Sequence, residues 1–274
     1  MDKDFSKSGL KRNTIDKYYT KDDIVKLCIV LIKENFNISK KDLIIEPSAG
    51  NGAFINEIKK ISKNYKFYDL EPENNEIIKQ DYLQLDHSQF NFKRIHIIGN
   101  PPFGRQSSMA IKFIKKSCEF CDTISFILPK SFKKDSMKKS FPLYFHLILE
   151  KDLPEKSFLV NNTEHDVPCI LQIWEKKDIE RIKPEKLEPK NFKFVKKNET
   201  PHISFRRVGV YSGTISKDIK DKSEQSHYFI IFTNDKTVDE NILNLENVKF
   251  DFNNTVGPKS ISKQELIKEF NKFL

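Results

Sequence analysis

The chain contains 274 residues, with 38% hydrophobic and 12% aromatic side chains and a formal net charge of +9. This length and apolar content exclude a wholly disordered chain and predict one main domain with a smaller appendage, and the positive charge favours a nucleic-acid partner. No apolar stretch approaches the roughly 18 residues of a membrane-spanning helix and no signal-peptide pattern is present, so we expect an intracellular protein, neither secreted nor membrane-bound.

The first part of the chain predicts a tail followed by a helix. Residues 1–13 are polar, charged and aperiodic, which is typical of a flexible tail. Helical spacing begins after Thr20, which we expect to be the N-cap because Asp22 and Asp23 follow in the first turn. One apolar stripe defines the predicted helix: Ile24, Leu27, Cys28, Leu31 and Ile32.

Short apolar runs then alternate with helical patterns. The runs that predict strands are 43–45, 65–68, 95–98, 123–128, 144–149 and 169–174. The patterns that predict helices cover about 52–62, 107–119 and 130–139. This alternation predicts a doubly wound α/β domain with a mostly parallel sheet covered on both faces. The last two runs leave little room for a crossover helix and predict an antiparallel pair at the edge of the sheet.

The character of the chain changes after Trp174. A charged segment containing Pro184 and Pro189 predicts a linker, so we expect the main domain at 14–177 and a small α+β appendage at 178–274. In the appendage we predict strands at 202–210, 228–232 and 248–252 and a terminal amphipathic helix at 263–274.

The cysteines predict free thiols. The four are scattered along the chain at positions 28, 118, 121 and 169. Cys118 and Cys121 have the spacing of metal ligands, but no second Cys or His pair lies at a suitable distance. We therefore expect neither a metal site nor a disulfide framework.

A glycine-containing loop, EPSAGNGAF at residues 46–54, follows the first predicted strand of the sheet. Its two glycines let the backbone approach a ligand closely, and the helix behind it offers free N–H groups. The absence of Lys-Ser/Thr after the glycines excludes a phosphate-binding P-loop. Asp69 ends the next strand, where an acid in doubly wound folds accepts hydrogen bonds from ribose hydroxyls, and Asp81 follows at the same edge of the sheet. Together these features predict a site for a nucleotide-like cofactor.

The sequence NPPF at residues 100–103 directly follows the strand predicted at 95–98. Pro101 and Pro102 fix φ near −65° and remove two backbone donors, so the loop is rigid and its carbonyls have a fixed direction. Asn100 adds a side-chain acceptor, and Phe103 adds a flat face on which a base can stack, worth about 1–3 kcal/mol. This combination suits an amine whose lone pair is delocalised into a ring, because two acceptors on its N–H groups favour the sp³ geometry of the methylated nitrogen.

These motifs, in this order, resemble those of the class I S-adenosylmethionine-dependent adenine-N6 methyltransferases, especially the gamma-type DNA enzymes. YYT at 18–20 matches the N-terminal motif of that family, and VPCILQIWE at 167–175 matches its late strand. The resemblance covers about residues 14–177. It implies a Rossmann-like class I methyltransferase fold, with a mostly parallel seven-stranded sheet and an antiparallel edge, and S-adenosyl-L-methionine as cofactor.

The resemblance also implies roles for the motif residues. The implied cofactor-binding residues are Tyr19, Thr20, Glu46, Ser48, Gly50, Asp69, Asp81, Tyr82 and Asn100. The implied catalytic residues are Asn100, Pro101, Pro102 and Phe103. The YYT motif contacts the methionine carboxylate, and Glu46 and Gly50 line the methionine end. Asp69 holds the ribose hydroxyls, and Asp81 holds the adenine amine with Tyr82 packed nearby. Asn100 and the Pro101 carbonyl hold the target amine, and Phe103 stacks on the target base.

The implied function is methyl transfer to N6 of adenine in DNA, with the target base flipped out of the duplex. Three alternatives stay open: the same reaction on RNA, glutamine-N5 methylation of a protein, and a nucleic-acid-binding module without catalysis. The glycine loop looks more like the DNA branch, whereas the small appendage also suits RNA. The glutamine enzymes usually carry Tyr where this chain has Phe103.

Substrate contacts are also expected from basic side chains, because these neutralise phosphates. Besides Phe103, we expect Lys130, Arg206 and Arg207 to contact the substrate. A partner protein or a homodimer is compatible with the sequence.

Overall fold

The computed structural model describes residues 17–254 and 258–274, and the tail predicted at 1–13 lies outside these residues. The chain divides into two compact units. The first contains the described residues up to Pro129 together with Ser136–Arg181, and the second contains Lys130–Asp135 and the described residues from Ile182 to Leu274.

The elements up to Lys176 alternate as the sequence predicts. In chain order they are β1 (Tyr19–Thr20), α1 (Asp22–Asn35), β2 (Leu43–Glu46), α2 (Ile55–Ile61), β3 (Asn64–Asp69), β4 (Ile78–Lys79), β5 (Ile95–Gly99), α3 (Ser108–Cys118), β6 (Thr123–Pro129), α4 (Asp135–Lys138), β7 (Phe145–Asp152), β8 (Phe158–Val160), β9 (Thr163–His165) and β10 (Cys169–Lys176). Short 3-10 turns cover Tyr82–Gln84, Arg105–Ser107 and Lys130–Lys133.

Seven of these strands form one mixed sheet in the order β4-β3-β2-β5-β6-β10-β7. The strands from β4 to β6 pair in parallel, and β10 pairs antiparallel with both β6 and β7. This order is a Rossmann-like class I methyltransferase fold, so the predicted fold class and the predicted antiparallel pair are confirmed. The strand order reverses at β2, which places a crevice at the carboxyl ends of β2, β3 and β5.

The central strands are mainly apolar because both of their faces are covered. Every residue of β2, β5 and β6 is buried. On one face, Ile24 and Ile29 of α1 and Ile58 of α2 pack with Ile44 and Ile98 of the sheet in a single core cluster. This packing holds the crevice-forming ends of the strands in a fixed geometry.

Two local predictions within residues 14–177 are wrong. Thr20 is not the N-cap of α1, because it is drawn into β1 and pairs with Phe158 of β8; the N-cap is Lys21, whose side chain makes no capping bond. The helix predicted over 130–139 is replaced by a 3-10 turn and the four-residue α4. The turn belongs to the second unit, where Lys134 Nζ donates to the Ser260 carbonyl at 3.0 Å.

The second unit is an antiparallel sheet with two helices. Its elements are β11 (Phe192–Val195), β12 (Ile203–Arg206), β13 (Ile215–Ser216), β14 (His227–Phe232), α5 (Val238–Leu245) and α6 (Lys263–Phe270). The strand order is β11-β14-β12-β13. Its core joins Phe205 and Ile230 of the sheet to Leu266 and Phe270 of α6.

The predicted strand at 248–252 is wrong. No strand forms there, and Phe250 and Phe252 instead pack against the core of the second unit. The sequence also gave no prediction of β11, β13 or α5.

The first unit extends four residues beyond the predicted boundary at 177, to Arg181. The Arg181 guanidinium donates to the carbonyls of Lys138, Phe141 and Phe145 at 2.7–3.0 Å. It also lies over the Trp174 ring at 5.5 Å. These contacts anchor the start of the predicted linker to the first unit.

All four cysteines are buried and free. Burial raises the pKa of the Cys28 and Cys118 thiols to about 12. None of the helices in the described part of the chain combines the length and the apolarity needed to cross a bilayer.

Candidate active site

The loops that carry the predicted motifs meet at the crevice. The glycine loop follows β2, Asp69 ends β3, and residues 100–103 follow β5. These three strands are neighbours in the order β3-β2-β5 and run in parallel, so their carboxyl ends lie side by side.

The glycine loop needs glycine at both positions. Gly50 and Gly52 have φ angles of +54° and +87°, which residues with a side chain rarely adopt. A Cβ on Gly52 would lie 2.7 Å from Ile55 Cδ1, and a Cβ on Gly50 would lie 3.5 Å from the Tyr19 ring. The loop therefore presents bare backbone under the Tyr19 side chain.

Asp69 is fixed by two backbone donors. Its Oδ2 accepts from Gly50 N at 2.8 Å, and its Oδ1 accepts from Glu71 N at 2.9 Å. Each carboxylate oxygen keeps a further lone pair, so the side chain can accept additional hydrogen bonds without reorienting.

Backbone hydrogen bonds hold the segment that carries Asp81 close to the end of β3, where Asp69 lies. Gln80 N donates to the Asp69 carbonyl at 2.9 Å, and Asp81 Oδ1 accepts from Leu83 N at 2.9 Å. Tyr82 differs from its predicted position beside a cofactor. Its ring is 1% exposed and stacks on Phe113, and its hydroxyl bonds Ser117 Oγ at 2.8 Å. Tyr82 thus supports the Asp81 turn from the core and has no free surface for a ligand.

Glu46 is a buried carboxyl group at the end of β2. It is 2% exposed, and its Oε2 has no hydrogen-bond partner among the described residues. Burial raises the pKa of Glu46 well above its usual range, and the charge of Asp69 raises it further. A positively charged group placed here would be stabilised by both carboxyl groups.

Asn100 has a fixed amide with a free oxygen. Its Nδ2 donates to the Tyr18 carbonyl at 3.2 Å and to Thr20 Oγ1 at 3.3 Å. The carbonyl can only accept, so this side of the amide is the NH₂ group. Asn100 Oδ1 is buried and has no partner among the described residues. The backbone carbonyl of Asn100 accepts from Ser48 Oγ at 3.2 Å, which ties the loop to the glycine loop.

The rest of the predicted catalytic loop is stiff. Pro101 is buried and Pro102 is half-buried. The Phe103 carbonyl accepts from Met109 N at 3.1 Å and Ala110 N at 3.3 Å. The Phe103 ring is half-buried and packs against the core of the first unit, so only part of its surface faces outward.

A strained turn, which the sequence does not predict, follows this loop. Gln106 and Ser107 both have left-handed backbone angles, with φ of +53° and +61°. Such residues cost of order 1–3 kcal/mol each and cluster at functional sites.

A second feature missed at the sequence level is a clamp over the glycine loop. Tyr19 Oη donates to Glu73 Oε1 at 2.6 Å, Lys17 Nζ donates to the same oxygen at 2.9 Å, and Glu73 N donates to the Gly50 carbonyl at 3.0 Å. Burial and the bond to Glu73 raise the pKa of Tyr19 to about 12, while the same bond lowers the pKa of Glu73. Only the YYT motif marked this segment in the sequence.

The remaining predicted residues lie in the second unit. Lys130 begins the 3-10 turn after β6. Arg206 lines a cavity on the sheet. Arg207 donates from Nε and Nη2 to the Gln225 carbonyl, at 3.3 and 3.1 Å, and lies over the Tyr228 ring. Arg206 and Arg207, which we predicted together as substrate contacts, therefore have different surroundings.

No group of three or more His, Cys, Asp or Glu side chains within the described ranges could hold a metal ion. The candidate site contains hydrogen-bonding groups and the three carboxyl groups of Glu46, Asp69 and Asp81.

Comparison with solved structures gives distant matches. A candidate RNA methyltransferase from Pyrococcus horikoshii is 14% identical, with a TM-score of 0.42, over 57% of this chain and 82% of that one. A candidate class I S-adenosylmethionine-dependent methyltransferase from Listeria monocytogenes is 15% identical, with a TM-score of 0.44, over 64% and 66%. An rRNA methylase from Streptococcus thermophilus is 12% identical, with a TM-score of 0.39, over 56% and 97%. These identities and TM-scores are too low to assign the substrate of any of these proteins to this chain.

Comparison at the sequence level identifies the family. No curated protein matches the chain. The family model of the EDM2 methyltransferase-like domain matches residues 37–186, which is more than half of the 274 residues. The matched region runs from β2 to β10 and includes the glycine loop, Asp69, Asp81 and residues 100–103. The chain belongs to the EDM2 methyltransferase-like domain family.

Proposed function

We propose that this protein transfers a methyl group from S-adenosyl-L-methionine to N6 of adenine in DNA. The methyltransferase family and fold support the reaction class. The observation that supports adenine N6 as the acceptor is the buried Oδ1 of Asn100, which has no partner among the described residues. Ser48 holds Asn100 beside the glycine loop, and the two hydrogen bonds of Asn100 Nδ2 fix the direction of the amide.

The residues at the crevice fit S-adenosyl-L-methionine. The unpartnered Oε2 of Glu46 suits a positive group of the methionine end, and the bare backbone at Gly50 allows close approach. Asp69 has lone pairs for the ribose hydroxyls, and Asp81 has a free oxygen for the adenine amine. When bound, this cofactor supplies an electrophilic methyl group on its sulfonium sulfur.

Asn100 and Pro101 would hold the acceptor amine. The Asn100 Oδ1 and the Pro101 carbonyl each accept one N–H bond, which pulls hydrogen out of the ring plane and directs the nitrogen lone pair to the crevice. The nitrogen would form the new bond to the methyl carbon with its lone pair, while the carbon–sulfur bond breaks and its electron pair stays on sulfur. The nitrogen would afterwards lose one proton to water, so no carboxylate base is needed before transfer. The outward part of the Phe103 ring would keep the base in line by stacking.

Adenine in a nucleic acid is the acceptor that the chemistry favours, and the glycine loop, which resembles that of the DNA enzymes, favours DNA. An amide acceptor with a stacking ring suits a flat exocyclic amine, and the net charge of +9 suits a polyanion. RNA carries the same amine, and a protein glutamine carries a flat amide but no ring to stack.

The test is methyl transfer from labelled S-adenosylmethionine to single- and double-stranded DNA and RNA, followed by mass analysis of the nucleosides. We expect N6-methyldeoxyadenosine. Label found only in RNA would change the assigned substrate from DNA to RNA. Label found in protein glutamine would overturn the proposal. Stoichiometric cofactor binding without transfer to any adenine polymer would identify an inactive module.

Replacing Tyr19 with phenylalanine is expected to weaken cofactor binding by about 2–10-fold, with kcat within about twofold. The change removes the 2.6 Å bond to Glu73 and loosens the ring over Gly50, and a partly exposed hydrogen bond of this kind is worth about 0.5–1.5 kcal/mol. Isothermal titration with the cofactor measures the effect.

Tyr144→Phe is the matched control, because Tyr144 is 46% exposed and directly precedes β7. Equal cofactor affinity in Tyr19→Phe, Tyr144→Phe and the parent protein would show that the clamp has no role in binding.

A further inference from the structure

A cavity of about 230 Å³ opens on the sheet of the second unit. Its lining includes three basic side chains, Arg206, Lys222 and His227, and the hydroxyl groups of Ser204, Ser216 and Tyr211. No carboxylate is among its described lining residues. We call it the basic cavity.

The basic cavity is built on one face of paired strands. Ser204 and Arg206 are two residues apart on β12 and so share a face. Arg206 lies opposite His227 of β14, and Ser204 lies opposite Ser216 of β13. The alternate residue Phe205 points to the other face and is fully buried in the core. The side chains of the cavity therefore rest on a rigid support.

Two of the basic groups have nitrogen atoms without a hydrogen-bond partner among the described residues. Arg206 Nε donates to the Val208 carbonyl at 3.2 Å, whereas its two terminal nitrogens have no hydrogen-bond partner among the described residues. His227 is 8% exposed, and its Nδ1 faces the Ser223 carbonyl at 3.1 Å. Because a carbonyl only accepts, Nδ1 carries the proton, and Nε2 of the neutral ring is a hydrogen-bond acceptor. The charged donors of the basic cavity are therefore those of Arg206 and Lys222.

The third basic group is positioned by the backbone of its own loop. Lys197 Nζ donates to the carbonyls of Lys220 and Lys222 at 2.8 Å, which fixes the segment that carries Lys222. The Lys222 ammonium pairs at 3.2 Å with Asp218, a half-exposed acid outside the lining.

The electrostatic field in the basic cavity is positive. Burial lowers the pKa of His227, and the charges of Arg206, Lys222 and Lys197 lower it further, against the bond to Ser223. A field that disfavours a second cation favours an anion at the same place.

We propose that the basic cavity binds a phosphate group of the nucleic-acid strand. The choice of a nucleic acid rests on the proposed function, whereas the choice of phosphate rests on the cavity itself. Since liquid water occupies about 30 Å³ per molecule, a cavity of about 230 Å³ holds a phosphate group together with some water. The terminal nitrogens of Arg206 match two phosphate oxygens in a fork.

The rim offers a second contact. Tyr211 is 68% exposed, and its ring centroid lies 6.0 Å from Arg206 Cζ. A base next to the bound phosphate can stack on this ring.

The first test titrates the full chain with inorganic phosphate in a calorimeter. We expect saturable binding in the parent protein, and binding weakened about tenfold or more in Arg206→Gln, because a hydrogen bond to a charged group is lost. Lys236→Gln is the charge-matched control, since Lys236 is exposed and follows the end of β14 opposite to His227. It should change the affinity by less than about twofold. Equal affinities in the two variants, or no binding in the parent protein, would overturn the inference.

The second test uses anisotropy of a single-stranded oligonucleotide without cofactor. Arg206→Gln should raise its Kd about tenfold and reduce the slope of log K against log salt by about 0.7. Tighter binding of a 5′-phosphorylated than of a 5′-hydroxyl strand assigns the site to a terminal phosphate, and equal binding assigns it to an internal one. If Arg206→Gln fails to fold by circular dichroism, Lys222→Gln takes its place with the same expectation.

The two proposals fail separately. If the protein methylates adenine but Arg206→Gln and Lys236→Gln have equal affinities in both tests, the phosphate site is overturned and the proposed function stands. Phosphate binding lost in Arg206→Gln, in a protein that methylates no adenine, would do the reverse.

Discussion

Asn100→Ala is expected to lower the rate of methyl transfer by about 100–1000-fold and to leave the affinity for S-adenosylmethionine within about threefold. The substitution removes the unpartnered Oδ1 that holds the acceptor amine. The bond between Ser48 Oγ and the Asn100 carbonyl is a backbone contact that alanine keeps, so the loop stays attached to the glycine loop. Single-turnover transfer and cofactor titration on the same samples measure the two effects.

The control is Asn37→Ala. Asn37 is exposed and precedes β2, at the opposite end of the sheet from the crevice. It should leave both quantities unchanged. Weaker cofactor binding with a full rate at saturation in Asn100→Ala would contradict the role given to this side chain, because Asn100 would then serve the cofactor alone.

Asp69→Ala is expected to weaken cofactor binding by at least about tenfold, because Asp69 orients the Gly50 N–H and would accept the ribose hydroxyls. At saturating cofactor the rate should recover most of its loss, since Asp69 does not hold the acceptor. Titration of the cofactor against initial rate separates these effects.

Asp23→Ala, on the exposed face of α1, is the matched control and should bind the cofactor normally. An unchanged dissociation constant in Asp69→Ala would mean that this carboxylate only supports the loop, and the assignment of the cofactor to the end of β3 would be wrong.

The sheet could be predicted because its signals are local. The runs of β2, β5 and β6 are mainly apolar and fully buried, as is typical of strands covered on both faces, and short connections predict β7 and β10 as antiparallel. Thr20 shows the limit. It has the chemistry of an N-cap, but pairing with Phe158, far along the chain, takes it into a strand, and no local pattern reports that partner.

The second unit was harder to predict because its strands are short and its core is aromatic. The run at 248–252 alternates like a strand, but its phenylalanines are satisfied by packing on the core without a partner strand. A usable signal was missed for α5. Thr237 and Glu240 form a capping box, and this spacing can be seen in the sequence.

The site was predicted where a motif marks it. Glu46, Gly50, Asp69 and Asn100 all lie at the crevice, because each follows or ends one of three neighbouring parallel strands. For Tyr82 the motif gives a position in the chain but not the direction of the ring, which is buried against Phe113. Glu73 was missed because its contact with Tyr19 joins residues 54 positions apart.

The most direct test of the account uses two oligodeoxynucleotides that differ only in the 6-amino group. One contains adenine, and in the other every adenine is replaced by purine, which lacks the exocyclic amine. We predict that labelled methyl enters the adenine strand alone, is recovered as N6-methyldeoxyadenosine, and is lost in Asn100→Ala. Equal labelling of the purine strand, or label recovered on another base, would contradict it.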